Sequence, residues 1–332
     1  MTEVRKAGRG RASYLVGLLV LLLVAVVASV CVGAQAIAPA EVWRALTGAP
    51  GGEAYLIVHD VRGPRTILAI CVGAALGTAG TLVQTLTRNP LAEPGILGVT
   101  AGAGFAINLG GVLGLAGGQV AQLALASAGA VLAAVLVYAL GSAEPLRLVL
   151  TGVALSAVLA GISLGLRLMV PDVFDRFRFW SVGSLAGQEQ APLTLPAVTI
   201  AVALVCAALV TRPLNALVMG DEIARSLGGH VLRTRVYVLV LVTLLAGAAT
   251  AVAGPIAFLG LMVPHLARRW AGASIPWLMA YTMVLGPVLL LASDIGARVL
   301  LPTGEVPVGV VTAFVGAPVL IWAVRRRGRV LS

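Results

Sequence analysis

Residues 62–103 read RGPRTILAICVGAALGTAGTLVQTLTRNPLAEPGILGVTAGA, and this stretch decides the fold. It holds one apolar run of helical length, a break at Arg88-Asn89-Pro90, and the start of a second run. At about 3.6 residues per turn, Gly73, Gly77, Gly80 and Gln84 share one narrow face of the first run. Glycines on one face admit the backbone of a neighbouring helix. Within lipid, such close packing takes the part that hydrophobic burial plays in water. Arg62 and Arg65 bound the run at one end and Arg88 bounds it at the other. The pattern predicts a membrane-spanning helix packed among others.

The remainder of the chain carries the same signature. Of its 332 residues, 59% are hydrophobic and only 11% are charged, too few charges to cover the surface of a soluble domain of this size. Apolar runs of about 20 residues recur, as a bilayer core about 30 Å thick requires. The net charge of +10 suggests nucleic acid at first sight, but the basic residues lie between the apolar runs, where they act as topology signals. Cys31, Cys71 and Cys206 stand far apart inside apolar runs, which fits buried thiols and neither a disulfide nor a metal site.

Runs bounded by charge, Pro and Gly place ten spans, over residues 14–34, 66–86, 95–113, 120–140, 148–170, 192–210, 236–253, 256–266, 275–292 and 308–324. The eighth is short and contains Pro264, so a half-length or tilted helix is expected there. A short helix is expected near Pro39–Leu46, and a surface helix in the charged, aromatic interval after Val170. Pro94 suits the first position of the third helix, where a missing N–H costs nothing. An even count puts both termini on one side. With that side cytoplasmic, 16 of the 23 basic residues are inside, as the positive-inside rule requires. The run at 14–34 is too long for a signal-peptide core and is expected to remain as the first span. The expectation is an all-α, ten-span polytopic membrane protein with one membrane domain, a basic cytoplasmic segment at 1–13, and both termini cytoplasmic.

The longest cytoplasmic connection, residues 211–235, contains LNALVMGDEIARSLGG. Its spacing predicts two mini-helices. Asn215 would cap one over 216–219 that Gly220 ends, and Asp221 would cap another over 222–227 that Gly228 ends. Ile223, Ala224 and Leu227 form a small apolar face on the second. Such a knob is either a well-structured loop or a docking element.

Taken in series, the chain shows RGPR (62–65), GAALGTAGTLVQTLTRNPLAEPGILGVTAGA (73–103), PLRLVLTGVAL (145–155), FWSVGSL (179–185), PLNALVMGDEIARSLG (213–228), GPIAFLGLMVPHLAR (254–268) and EVPVGVVTAFVGAPV (305–319). This order of motifs resembles the permease subunits of the ABC importers that take up iron–siderophores, haem or cobalamin. The resemblance covers nearly the whole chain. It implies the type II importer fold, assembled as a homodimer or with a sister permease on a cytoplasmic ABC ATPase dimer. It further implies that Asn215, Leu217, Gly220, Asp221, Glu222, Ile223, Ala224, Leu227 and Gly228 seat in the ATPase, and that Arg62, Arg65 and Arg298 meet acids of an extracytoplasmic substrate-binding protein. An alternative for Arg298 is neutralisation by Asp294, four residues earlier. The spans at 148–170 and 308–324 match the pathway helices of that family, with Thr151, Ser156 and Ser163 the modest polarity of the first. Gly63 stands where the family often has a bulkier residue, a change expected to loosen the start of the second span.

An intramembrane enzyme is the rival class, with His59, His265, Asp294 and Glu305 its best candidates. HExxH, GxSxG and paired-carboxylate motifs are missing from the sequence. A phosphate-binding loop needs a lysine followed by Ser or Thr, and the only lysine is Lys6. ATP and Mg are therefore expected on the partner ATPase, with no cofactor or metal in this chain. The expected cargo is a ferric siderophore, with haem and cobalamin behind it.

Overall fold

The computed structural model describes residues 2–33, 37–48, 51–141, 145–171, 177–178, 180–187, 193–301 and 304–328. In chain order its helices are α1 (Thr2–Cys31), α2 (Pro39–Thr47), α3 (Glu53–Leu86), α4 (Val99–Val112), α5 (Gln119–Gly141), α6 (Pro145–Met169) and α7 (Thr194–Leu209). They continue with α8 (Thr211–Val218), α9 (Asp221–Ser226), α10 (Val231–Ala253), α11 (Leu259–Ala271), α12 (Ile275–Val299) and α13 (Val308–Gly328). Six of these are long and apolar enough to cross a membrane alone: α1, α3, α5, α6, α10 and α12. The pair α7–α8, bent by 52°, gives a seventh. The shorter α4, α11 and α13 complete ten membrane helices.

Helix α3, which carries the glycine face of residues 73–84, is the central strut. Of its apolar window 83% is buried, against 11% for α1 and 17% for α6. Helices α10 and α12 share the centre with it, while α1, α5, α6 and α7 present broad apolar faces outward. Two ends can be told apart by contact. At one lie Arg88, α8, α9, the C-terminal turn of α11, and the start of α12. There the Tyr281 hydroxyl donates to the Arg11 carbonyl (2.9 Å), and the Arg269 guanidinium covers the Trp322 ring at 4.2 Å. Both the N-terminal part of α1 and the C-terminal part of α13 are therefore at this end. The other end gathers Ser29, Arg62, Arg65, Arg298 and Glu305.

Several boundaries differ from the sequence reading. Helix α1 begins at Thr2 rather than near Tyr14, so the basic segment is helical. Helix α3 begins 13 residues before Thr66, because the chain passes Gly63-Pro64 without a break. The turn before it, Ile57–Arg62, is π-helical, and the Gly63 N–H bonds the Val58 carbonyl five residues back. That register admits Pro64, which has no N–H to give. A Cβ on Gly63 would lie 2.8 Å from the Val58 oxygen, so glycine here fits the turn rather than loosening it. Helix α12 runs seven residues beyond Ala292, which puts Asp294 and Arg298 inside it. Of the interval expected to hold a surface helix after Val170, residues 172–176, 179 and 188–190 lie outside the described residues.

Helix α11 is 13 residues long, about 20 Å, and contains Pro264, as a half-length helix should. Residues 254–258 reach it as irregular backbone. Non-helical chain at membrane depth must be covered by protein. Here the Ser184 N–H donates to the Ala253 carbonyl (2.8 Å), and the Gly309 N–H donates to the Gly183 carbonyl (3.0 Å). Gly254, at φ +69°, lies against the Trp180 carbonyl where a Cβ would collide.

Candidate functional site

The glycine face of α3 packs backbone to backbone. A Cβ on Gly73 would sit 2.6 Å from the Pro287 nitrogen, and one on Gly77 would sit 2.8 Å from the Thr282 carbonyl. Gly80 faces the carbonyl of Gly260 on α11, with no space for a further atom. One turn on, the Gln84 amide donates to the Gly260 carbonyl (3.3 Å), and its oxygen accepts from Arg268 (3.0 Å). Four residues on one helical face thus fix α3 against both α11 and α12.

At the cytoplasmic end the chain turns at Arg88 (φ +52°), and the Asn89 carboxamide oxygen accepts the Leu91 N–H (2.9 Å) across Pro90. The Arg88 guanidinium donates to the Leu217 carbonyl (2.8 Å) and reaches Asp221 (3.3 Å). Arg235, at the start of α10, holds the other oxygen of Asp221 at 2.8 Å. Asp221 therefore bolts the knob to the end of α3 and to α10. These three groups border a recess of about 700 Å³ between α6, the α3 turn and the knob.

The knob is built differently from its capping prediction. Asn215 lies inside α8, which begins at Thr211, and it caps nothing. The helix starts earlier because Pro213 is tolerated in a first turn and Leu214 and Leu217, three apart, bury into the core. Asp221 does not cap α9 either. Gly220 takes that position at φ +124°, and the carboxylate is engaged by two guanidiniums, whose charge-assisted bonds outweigh a cap. The stop at Gly228 is a paired C-terminal motif: Gly228 N–H to Arg225 carbonyl (2.9 Å) and Gly229 N–H to Ala224 carbonyl (2.8 Å), with Gly228 at φ +79°. Helix α10 takes up residues from Val231, so the connection is shorter than 211–235. On α9, Ala224 faces inward, while Ile223 and Leu227 are 46% and 65% exposed and Glu222 is exposed beside them. Met219 and Val218 extend that apolar surface.

At the outer end the three arginines are buried rather than displayed. Arg62 donates to the carbonyls of Val30 (2.7 Å) and Cys31 (2.9 Å), and Arg298 to those of Ser29 (2.8 Å) and Val32 (3.1 Å). Carbonyls of the last helical turn lack partners within the helix. These two guanidiniums supply them for α1. Asp294, 0% exposed, ties the group together. It accepts from Arg65 through Nε (3.0 Å) and Nη2 (2.8 Å), and it pairs with Arg298 one turn away. Arg65 also reaches Glu305 at 2.7 Å, and Glu305 is 37% exposed. The two acids differ in what their loss costs. Breaking a buried pair leaves uncompensated charge and costs about 3–5 kcal/mol, whereas a fully exposed pair contributes about 0–1 kcal/mol; the Arg65–Glu305 pair, 6% and 37% exposed, is the more solvated of the two. The arginines and Glu305 line a recess of about 310 Å³ with Gly33, Ile57 and Val61.

One group was overlooked in the sequence. Glu93, in the connection between α3 and α4, turns into a recess of about 200 Å³ with Thr100 and Thr250. Burial pushes its carboxyl above the usual range, and the backbone N–H of Phe258 partly offsets this. Its neighbours in sequence read only as a turn, so nothing there signalled an acid facing inward. Among the candidates for the enzyme class, His59 stacks on Tyr55 with ring centroids 4.1 Å apart, and Asp294 and Glu305 belong to the arginine cluster. Among the described residues no group of three His, Cys, Asp or Glu side chains could hold a metal ion.

Comparison with known proteins bears on both ends. The profile of the FecCD transport family matches residues 21–326. The ferric enterobactin transport system permease protein FepD of Escherichia coli K12 is 47% identical over 325 residues, which covers 96% of this chain and 97% of that one. The hemin transport system permease protein HmuU of Yersinia pestis is 35% identical over 321 residues, covering 93% and 94%. A solved structure, described as an inward-facing conformation of a putative metal-chelate type ABC transporter, has a TM-score of 0.86 at 27% identity. The match spans 95% of this chain and 99% of that one. The chain belongs to the FecCD transport family and is a multi-pass inner-membrane permease of an ABC importer, without a catalytic domain of its own.

Proposed function

We propose that this permease carries a ferric siderophore across the cytoplasmic membrane. The observation that carries the reading is the 47% identity, over nearly the full length of both chains, to a ferric enterobactin permease, against 35% for a hemin permease. A substrate-binding protein delivers the chelate to the outer end, where its acidic side chains meet the recess of Arg62, Arg65 and Arg298. Three arginines against Asp294 and Glu305 leave that cluster a formal charge of +1, which favours an acidic partner.

At the inner end, Asn215 to Gly228 seats in one subunit of an ATPase dimer that binds ATP and Mg. The exposed Ile223 and Leu227 supply the apolar contact, and the Asp221 bolt passes motion to α3 and α10. A second permease, identical or a sister, covers the outward apolar faces of α6 and α13, and cargo passes between the two copies. Thr151 and Ser156 are half-buried on α6.

Uptake of iron-labelled ferric siderophores, haem and cobalamin by a strain lacking this gene, with and without the gene restored, tests the cargo. Siderophore uptake should depend on the gene. Dependence of haem or cobalamin uptake alone would assign the other cargo class.

A further inference from the structure

One acid lining the outer recess is the chain's own. Glu305 sits three residues before α13, holds Arg65 Nη1 at 2.7 Å, and lines the same recess as Arg62, Arg65 and Arg298. Arg65 spends its other two nitrogens on Asp294, which is fully buried and shared with Arg298. Of the two carboxylates on Arg65, then, one is locked and one is reachable from outside.

We propose that the recess is a carboxylate-binding site which Glu305 fills in the undocked permease, and that an Asp or Glu of the binding protein displaces Glu305 from Arg65 on docking. This rests on the docking reading given above and says which bond docking breaks. The exchange conserves charge on Arg65: one carboxylate leaves its Nη1 as another arrives, and Asp294 keeps the guanidinium in place throughout.

The displaced residue is tied to the start of α13. The N–H of Val306, next to Glu305, donates to the Ala297 carbonyl on α12 (3.0 Å), and Gly309 in the first turn of α13 donates to the Gly183 carbonyl (3.0 Å). With Glu305 held, residues 305–309 are therefore fixed at three points, on α3, α12 and the 180–187 segment. Releasing Glu305 removes the attachment to α3 and leaves the other two. Docking is thereby reported at the start of α13, on the helix that matches the family's pathway.

The test uses the complete permease–ATPase complex in lipid nanodiscs, with its purified cognate binding protein as the probe, and compares wild type with Glu305→Gln and Glu305→Asp. Removing an internal competitor worth up to about 1 kcal/mol should make binding by E305Q about two- to fivefold tighter. The same variant should lose much of the rise in ATPase rate that the binding protein causes, because only a weaker bond to an uncharged amide remains for docking to break. E305D keeps the charge on a shorter arm and should fall between the two. Both replacements spare Asp294, and co-elution with the ATPase checks assembly.

Unchanged or weaker binding by E305Q overturns the exchange. The docking reading beneath it has its own readout, the wild-type affinity at low and high salt, since contacts between exposed charges weaken with ionic strength. A salt-dependent wild type with an unaltered E305Q refutes the exchange alone. A salt-independent wild type refutes the docking reading as well.

Discussion

Replacing Asp294 by Asn should damage the outer end far more than any other single charge removal there. Asp294 is 0% exposed and accepts from Nε and Nη2 of both Arg65 and Arg298. An amide of nearly the same shape keeps the volume but not the charge, and one of its two heads becomes a donor facing guanidinium donors. Two buried cations then share a single, partly solvated acid, Glu305. By the cost of breaking a buried pair, the loss is about 3–5 kcal/mol. Arg298 also supports the carbonyls of Ser29 and Val32, so its displacement would loosen the end of α1 as well. Thermal stability of the purified permease in detergent, followed by size-exclusion chromatography after heating, reads this directly. Glu305→Gln is the internal control, because the partly solvated pair is worth about 0–1 kcal/mol. The expected order is wild type close to E305Q, with D294N well below both. Equal midpoints for D294N and E305Q would refute the distinction between a locked and a reachable carboxylate.

Gly80→Val should prevent accumulation of monodisperse permease, since the branched side chain would have to occupy the space of the Gly260 carbonyl; normal chromatography of this variant would contradict the α3–α11 packing. Asp221→Asn should cut transport several-fold while thermal stability changes by about 1 kcal/mol or less, because its bridges to Arg88 and Arg235 are partly solvated; undiminished uptake would exclude the bolt. Ile223→Asp should leave the permease folded but weaken co-purification with the ATPase, as it places a charge on the exposed face of α9. Gly220→Pro should do the same with a loss of fold in the knob, because φ +124° is closed to proline.

How far the sequence led depended on whether a feature was local. The ten helices were readable because each apolar run exceeds or approaches bilayer thickness, and the glycine face because its periodicity is a property of one helix. The helix ends were less so. Gly63-Pro64 looks like a start, yet a π-helical turn carries the helix through it, and Asp294 looks like a stop, yet distant Arg65 and Arg298 one turn on neutralise it. Both depend on partners outside the segment, with Asp294 bonded across 229 residues to Arg65. The knob's two helices were visible, but their caps were not, because Asp221 chooses guanidiniums from elsewhere over its own backbone. Arg62, Arg65 and Arg298 were legible as a group through the family resemblance. Their burial was not, since sequence does not reveal that the end of α1 needs four carbonyls satisfied.

The same contacts decide which parts of the molecule can move. Sliding α3 along α12 by even one residue, about 1.5 Å, would drive Cβ atoms into backbone where Gly73 and Gly77 now face Pro287 and Thr282. Rotation about its axis meets the same obstacle at Gly80 and breaks the Gln84–Arg268 bond. Helices α3, α11 and α12 therefore shift together or not at all. Such a body carries the arginine recess at one end and, through Arg88 and Asp221, the α8–α9 knob at the other. Helices α5 and α6 are mostly exposed, and their backbone-close contacts are with α4 and the turn before it, at Gly129 against the Gly102 carbonyl and Gly152 against the Ile96 carbonyl, which makes α4, α5 and α6 a second packed group. Alternating access in this permease is then best served by a rigid α3–α11–α12 block that transmits motion, with the α4–α6 group and the start of α13 adjusting around it.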